Sequence, residues 1–138
     1  HRAVTPDAFA ALREAGKLLF DWQAHGLEYG ISIDAQRLVL QGHNVVFNGS
    51  RHALSDQRGH WPDMKVIWVT ASHTLREARL SNRGRETAED IGKRLAVVEP
   101  AIPPSALVVE NEGSLNEGIG RMEDAILTLT GETRGAAR

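Results

Sequence analysis

Apolar residues recur along the chain at two spacings, one typical of helices and one typical of strands. Phe9, Leu12 and Ala15 follow Thr5-Pro6-Asp7 at helical intervals. Threonine is a residue type that caps helices, and proline suits the first helical turn. This pattern predicts a short helix that ends near Gly16.

Five short apolar runs have the length and composition of β-strands. They comprise residues 18–22, 27–31, 45–47, 65–70 and 106–109. The first two are divided by His25-Gly26 and predict a hairpin. The third is expected to be a buried strand that ends at a polar turn, residues 48–51. The fourth is apolar on both faces and is expected to be a central strand.

Helical spacing returns in four further stretches. They contain Ile33, Leu38 and Leu40 before Gly42; Leu75, Ala78 and Leu80 after Ser72; Ile91 and Leu95 after Glu86-Thr87; and Leu115, Ile119, Met122, Ile126 and Leu127 after Ser114. The hydroxyls of Ser72 and Ser114 are predicted to cap their helices.

Strands that alternate with helices predict an α/β fold, with a mostly parallel sheet and flanking helices. The length of 138 residues, 41% of them hydrophobic, matches one compact domain over residues 1–138. Ligands of such sheets bind at the carboxyl ends of the strands. We therefore expect a site to involve the turns at residues 48–51, 70–72 and 111–113.

Composition narrows the classes of function. A net charge of −2 argues against binding nucleic acid through a global positive charge. The absence of cysteine excludes disulfides and thiolate metal sites, and it suits the cytoplasm. No apolar run approaches the roughly 18 residues of a membrane span. The histidines show no repeated metal spacing, so no metal site is predicted from protein ligands.

The most informative segment is rich in arginine. Six of the sixteen Lys and Arg residues fall between Arg76 and Arg94. On a helix Arg76, Arg79 and Arg83 share one face, where guanidinium groups can bind phosphate oxygens in pairs. Gly84 supplies a break of the kind found where a lid closes. We predict a phosphate-binding lid at about residues 79–94.

A charged helix exposed to solvent is the alternative reading of this segment. Its arginines would then pair with Glu77, Glu86 and Glu89. The break Asn82-Arg83-Gly84-Arg85 favours the lid, because it follows a predicted buried strand and a capped helix. Enzymes of the α/β class that act on nucleotides place a lid at this position.

The segment from Arg79 to Glu86, with Arg94 eleven residues beyond Arg83, resembles the lid of guanylate-kinase-like enzymes. It resembles more closely the ribose 1,5-bisphosphate phosphokinases of phosphonate metabolism, which use ATP to make phosphoribosyl pyrophosphate. Residues 19–30, 45–51 and 109–115 share this likeness, which covers nearly the whole chain. It implies a guanylate-kinase-like P-loop kinase fold.

The resemblance implies roles for the lid. Arg79 matches the arginine that packs against the adenine of ATP, and Asn111 matches a residue near the adenine. Arg83 and Arg94 match arginines that reach the transferred phosphate. Arg85 is placed with them as a catalytic candidate.

The resemblance also implies an acceptor-binding region at about residues 17–31. Asp21 and Tyr29 match positions that in guanylate kinases hold the guanine edge and the acceptor phosphate. Ile31 departs from the family pattern, because it replaces a hydroxyl residue. From the residues alone, Asp21 can also simply end an edge strand, and Tyr29 can be a core residue.

The turn at residues 48–51 completes the predicted acceptor site. Asn48 and Ser50 replace two acidic residues of the guanylate kinase pocket, and Arg51 follows them. Mixed donors and acceptors suit the hydroxyls of a sugar phosphate better than a guanine base. An ordinary turn is the alternative.

The Gly-rich loop G-x-x-x-x-G-K-[ST], which holds phosphates and a magnesium-binding hydroxyl in such kinases, matches no stretch of this sequence. We expect it upstream of the segment matching His1, and we expect these residues alone to have little kinase activity. The expected cofactors are ATP and Mg²⁺. The alternatives are a guanylate kinase and a non-catalytic kinase-like binding module, and a homodimer stays open.

Overall fold

The computed structural model describes residues 2–24, 26–84, 87, 89, 92 and 95–133. The chain divides into two compact units, His1–Met64 and Lys65–Arg138. None of the helices in these ranges is both long and apolar enough to cross a membrane.

The first unit begins with helix α1 (Pro6–Glu14). The hydroxyl of Thr5 accepts a hydrogen bond from the Ala8 N–H at 3.3 Å, so Thr5 is the N-cap. The chain leaves the helix through Gly16, whose φ of +61° lies in the left-handed region that favours glycine. Both ends of this helix confirm the sequence-based prediction.

Strands β1 (Leu18–Ala24) and β2 (Leu27–Ser32) form the predicted antiparallel hairpin. Asp21 lies opposite Gly30, and Trp22 lies opposite Tyr29. On β1 Phe20 is buried, as is Phe9 of α1. The core of this unit therefore includes aromatic rings from both elements.

Helices α2 (Asp34–Leu40) and α3 (Leu54–His60) complete the first unit. The predicted strand at residues 45–47 is wrong: these residues form no strand, and Val46 is 70% exposed. A strand needs a partner for its backbone N–H and C=O groups, and no strand of the described chain pairs with this run.

The second unit contains the parallel strands β3 (Ile67–Thr70) and β4 (Leu107–Glu110). Helix α4 (His73–Arg83) follows β3, and helix α5 (Leu115–Thr130) follows β4. Trp68 and Val109 of the strands are buried, as is Ala125 of α5. These strands and helices confirm the predicted ones, but the strand predicted at residues 65–70 is shorter than expected and, in the described sheet of two strands, it is not a central strand.

The α/β class is confirmed, but the strands of the described ranges form two sheets of two strands each. One sheet is antiparallel and the other is parallel, so a single mostly parallel sheet is not seen there. The short link between β1 and β2 can only join antiparallel neighbours, whereas the long connection through α4 allows β3 and β4 to run parallel. Of the helix predicted to begin near Glu86-Thr87, the described residues Glu89, Gly92 and Leu95 are helical, whereas Thr87 is not.

Candidate functional site

Arg79 connects helix α4 to the β4–α5 loop, which we define as residues 111–113. Its Nη1 donates a hydrogen bond to the Asn111 carbonyl oxygen at 2.8 Å, and its Nη2 donates one to the Gly113 carbonyl oxygen at 3.2 Å. The side chain is partly buried. These two bonds use the edge of the planar guanidinium group, so its flat faces keep their capacity to stack on a ring. The structure thus brings together both residues that were predicted to contact the nucleotide, Arg79 and Asn111.

Glu112, in the middle of the loop, binds the beginning of helix α4. Its carboxylate accepts a hydrogen bond from the Ser72 backbone N–H and another from the Ser72 hydroxyl, the latter at 3.0 Å. Ser72 is the N-cap residue of α4, but its own side chain makes no capping bond. The predicted capping by the Ser72 hydroxyl is therefore wrong, because this hydroxyl donates to Glu112 instead.

The loop is also continuous with the parallel sheet. The Asn111 N–H donates to the Thr70 carbonyl oxygen at 2.8 Å, which extends the pairing of β3 with β4 by one bond. The carboxyl ends of the two strands therefore bring residues 70–72 and 111–113 together, as the sequence predicted. Sequence reasoning did not single out Glu112 itself. Its only signal was an acidic residue in a loop at this edge of the sheet.

A reciprocal capping box fixes the other end of the loop. The Ser114 N–H donates to a carboxylate oxygen of Glu117 at 2.7 Å, and the Glu117 N–H donates to the Ser114 hydroxyl at 3.3 Å. The predicted N-cap Ser114 is confirmed. The hydrogen bond from the Ser114 backbone, followed by that from its hydroxyl, lowers the pKa of Glu117. The spacing Ser-x-x-Glu was the sequence signal for Glu117, which the sequence-based prediction did not use.

The side chain of Asn111 lies close to helix α5. A Cβ atom added at Gly118 would lie 2.9 Å from the Asn111 Oδ1. That separation is shorter than real Cβ contacts allow, so a side chain at residue 118 would force Asn111 to move. Because Gly118 has no side chain, the Asn111 amide can occupy this space.

The arginine-rich face is only partly within the described residues. Arg76 forms an ion pair with Glu99, with 2.6 Å between Nη1 and Oε1. Arg76 and Arg79 both bind protein groups: Arg76 binds the Glu99 carboxylate, and Arg79 binds backbone carbonyls. For Arg83 the backbone ends helix α4 and its side chain is not described. Arg85 and Arg94 lie outside the described residues, so their predicted roles stay predictions.

Gly84 ends helix α4 in the left-handed conformation, with φ of +60°. This geometry stops a helix and turns the chain. It places a defined bend at the residue where the sequence predicted a break. Whether the segment that follows closes as a lid stays a prediction.

In the first unit, Arg13 of α1 holds two carboxylates of the hairpin. Its guanidinium donates to both carboxylate oxygens of Asp21, at 3.2 and 2.8 Å, and to Glu28 at 2.6 Å. The hydrogen bonds to Asp21 and then Glu28 raise the pKa of Arg13 above its usual range. Arg13 was not among the predicted site residues. No local pattern indicates it, because its partners lie on a different element.

The hairpin register separates Asp21 from Tyr29. Neighbouring positions along a strand face opposite sides, so Asp21 and Gly30 share one face while Trp22 and Tyr29 share the other. The rings of Trp22 and Tyr29 are stacked, with 5.6 Å between their centroids and 14° between their planes. The two predicted acceptor residues therefore lie on opposite faces of the hairpin, and their roles stay predictions.

The turn at residues 48–51 packs on a buried glutamine. Gln57 of α3 is 2% exposed, and a Cβ atom added at Gly49 would lie 3.0 Å from its Oε1. The Gln57 Nε2 is buried without a hydrogen-bond partner in the described structure. Asn48 is exposed, whereas Ser50 and Arg51 are half-buried. The turn thus presents polar side chains above a polar buried group that no sequence pattern indicated.

No group of three or more His, Asp or Glu side chains within residues 2–24, 26–84 and 95–133 is arranged to hold a metal ion. The carboxylates that the structure shows in contact with other groups bind arginines, serine hydroxyls or backbone N–H groups.

Comparison with known proteins finds relatives across most of the chain, although no family model matches it. It is 41% identical over 132 residues to a ribose 1,5-bisphosphate phosphokinase PhnN of Pseudofrankia inefficax, covering 95% of this chain and 70% of that protein. It is 42% identical over 124 residues to a protein of the same name from Rhizobium etli, covering 88% of this chain and 63% of that protein. A bifunctional ribose 1,5-bisphosphokinase-thymidine phosphorylase of Cupriavidus necator is 33% identical over 132 residues, which are 94% of this chain and 22% of that protein.

Proposed function

The chain belongs to the ribose 1,5-bisphosphate phosphokinase family, and from this premise we propose that the protein is an ATP-dependent phosphotransferase. The reaction converts ribose 1,5-bisphosphate to 5-phosphoribosyl 1-diphosphate in phosphonate catabolism. The observation that carries the proposal is the pairing of Arg79 with the loop at Asn111, which joins two candidate nucleotide contacts in one arrangement.

The proposed activity is that of the complete protein. The chain spans 70% and 63% of the length of two relatives of this name. Its sequence has no match to the Gly-rich loop that cradles phosphates. We therefore propose that these 138 residues alone turn over little substrate.

We propose that the second unit binds the nucleotide base. The edge of the Arg79 guanidinium is fixed by two backbone carbonyls, so a flat face can stack against adenine. The Asn111 amide carries both a donor and an acceptor, which suits the edge of adenine. This donor set fits ATP and supports the nucleotide as the cofactor.

The transfer step requires little acid–base chemistry. An oxygen of the acceptor 1-phosphate attacks the γ-phosphorus of ATP, the bond from that phosphorus to the bridging oxygen breaks, and ADP leaves. The attacking oxygen is already ionised, so no strong base is needed. We propose that Arg83, Arg85 and Arg94 contact the transferred phosphoryl group and stabilise its charge, a proposal that rests on the family resemblance.

We propose Mg²⁺ as a second cofactor of the complete protein. Among the described residues, no group of three or more acidic or histidine side chains is arranged to hold a metal ion, and we propose that the Gly-rich loop of the complete protein supplies the metal-binding hydroxyl. No step of the reaction is derived through the metal.

We propose that the first unit binds the sugar phosphate through Asp21, Tyr29, Asn48, Ser50 and Arg51. Arg13 holds Asp21 by two hydrogen bonds, which occupies both of its carboxylate oxygens. A carboxylate engaged in this way is less available to read the N–H groups of a guanine base. This observation favours a sugar phosphate over GMP as the acceptor.

Three further features are proposed from the family resemblance. The first is a guanylate-kinase-like domain over residues 1–138, with a mostly parallel sheet in the complete protein. The second is a lid at about residues 79–94, and the third is a cytoplasmic location. The absence of cysteine agrees with that location.

The experiment that tests the proposed function measures ADP release by the complete protein with ribose 1,5-bisphosphate and, separately, with GMP. The proposal predicts release with the sugar bisphosphate and at least about a hundredfold lower kcat/KM with GMP, because polar groups that fit the sugar would be left without partners. Faster turnover of GMP would identify a guanylate kinase instead. Release with neither acceptor would favour a non-catalytic binding module.

A further inference from the structure

Glu112 makes a contact that the proposed chemistry does not use. Its carboxylate binds both the backbone N–H and the hydroxyl of Ser72, a residue forty positions earlier in the chain. Both residues are exposed.

This contact and the Arg79 contact hold the loop at two points of the same helix. Ser72 occupies the N-cap position of α4, and Arg79 lies seven residues further, a rise of about 10 Å along the axis. Glu112 binds at the first point, and the carbonyls of Asn111 and Gly113 bind at the second. The loop is thus fixed along the first two turns of α4, with its central residue bonded at the helix start.

We infer that Glu112 is a positioning residue that fixes the β4–α5 loop for binding of the nucleotide base. The inference rests on the proposed function, because that proposal assigns Arg79 and Asn111 to the base. Without the Glu112 bonds, the loop keeps its pairing to Thr70 and Arg79 but loses its attachment to Ser72. The Asn111 side chain and the flat face of the Arg79 guanidinium are then less well oriented relative to one another.

The physical reason lies in the charge and geometry of the contact. The N-terminus of a helix carries partial positive charge, so a carboxylate there makes strong, charge-assisted hydrogen bonds. An exposed contact of this kind adds modestly to global stability. Its larger effect is to restrict the conformations of a three-residue loop. A loop that is already ordered loses less entropy when the ligand binds, so the affinity for the ligand is higher.

The test compares four variants of the complete protein: Glu112→Ala, Glu112→Gln, Ser72→Ala and Glu77→Ala. Glutamine keeps an oxygen that accepts from the Ser72 N–H and an amide that donates to its hydroxyl, so it rescues most of the function. Ser72→Ala removes only the hydroxyl half of the contact. Glu77 is an exposed glutamate on helix α4, and the Glu77→Ala variant controls for the loss of one negative charge.

The expected result is a KM for ATP that rises about five- to tenfold in Glu112→Ala, the size of effect of one ordinary hydrogen bond. The KM for ribose 1,5-bisphosphate stays within twofold. Glu112→Gln and Glu77→Ala stay near the parent value, and Ser72→Ala lies between. An unchanged KM for ATP in Glu112→Ala, or an equal rise in both KM values, overturns the inference.

Failure of the proposed function is separable from failure of this inference. If the parent protein releases no ADP with ribose 1,5-bisphosphate, the proposed reaction is wrong. The dissociation constant for ATP, measured by calorimetry on the same four variants and the parent, then decides the inference. Weaker ATP binding by Glu112→Ala than by the parent and the Glu77→Ala control supports the inference. Equal ATP affinity for all five proteins, or no binding of ATP by the parent, overturns the inference.

Discussion

The Arg79 guanidinium donates to the Asn111 carbonyl oxygen at 2.8 Å, so a side chain from the middle of α4 holds the first residue after β4. The same group reaches the Gly113 carbonyl oxygen. An arginine that binds two carbonyls along its edge is oriented before any ligand arrives. Contacts within the protein, and not the ligand, therefore hold the candidate base-binding site in its arrangement.

Arg79→Lys should weaken both stability and nucleotide binding. A lysine ammonium cannot offer two donors in a fixed plane or a flat face for stacking. We expect a loss of about 1–2 kcal/mol in the free energy of unfolding, because one of the two carbonyls loses its charged donor. Chemical denaturation checks the stability, and calorimetry with ATP checks the affinity.

Arg37→Ala is the matched control for this substitution. Arg37 pairs with Asp34 one turn away, and its side chain is 68% exposed. Exposed pairs of this kind add little stability. If Arg79→Lys is no more destabilising than Arg37→Ala, the account of the loop is wrong.

Gly118→Ala should disturb Asn111 while Gly120→Ala should not. A Cβ at residue 118 comes within 2.9 Å of the Asn111 side chain, whereas a Cβ at residue 120 meets nothing within 4 Å. Both substitutions remove a glycine from α5, which favours the helix by roughly 0.5–1 kcal/mol. We expect a higher melting temperature for both variants but weaker ATP binding for Gly118→Ala alone. Equal ATP affinities would contradict the placement of Asn111.

The capping box at α5 predicts a specific pH dependence. Hydrogen bonds from Ser114 lower the pKa of Glu117 in the folded chain from its ordinary value of 4.5. The ionised carboxylate therefore stabilises the fold above pH 4.5, and this contribution is lost as the pH falls through the lowered pKa. Melting temperatures of the parent and of Glu117→Gln should converge as the pH falls below 4.5. A difference that stays constant down to pH 3 or so would exclude this linkage.

Gln57→Met should stabilise the first unit. The Gln57 Nε2 is buried and makes no hydrogen bond to the described residues, and such a donor costs free energy. Methionine has a similar length and no polar hydrogen, so we expect a gain of about 1 kcal/mol in the free energy of unfolding. Gln36→Met on exposed α2 is the control and should give no gain. Destabilisation by Gln57→Met would show that the amide has a favourable partner.

Local signals predicted those parts of the structure that depend on neighbouring residues. Thr5 and Ser114 cap helices as expected, and Gly16 and Gly84 end them with positive φ. Each feature needs only a few residues in sequence, because a capping bond spans three positions. The hairpin was predictable for the same reason.

Contacts between distant residues were not predictable in this way. Glu112 meets Ser72 across forty positions, and Arg13 meets Glu28 across fifteen. These pairs depend on how strands and helices pack, which no local pattern encodes. The apolar run at residues 45–47 shows the same limit: it has strand composition, but a strand also requires a partner. The nucleotide-side candidates Arg79 and Asn111 were identified through resemblance to a family.

The most direct test of the account identifies the product made by the complete protein from ATP and ribose 1,5-bisphosphate. Phosphorus NMR distinguishes a phosphate monoester from a diphosphate on the sugar. The account predicts that the signal of the 1-phosphate is replaced by two coupled diphosphate signals, that the 5-phosphate signal is unchanged, and that one ADP forms per sugar. An unchanged 1-phosphate, or a new phosphate at another position of the sugar, would contradict it.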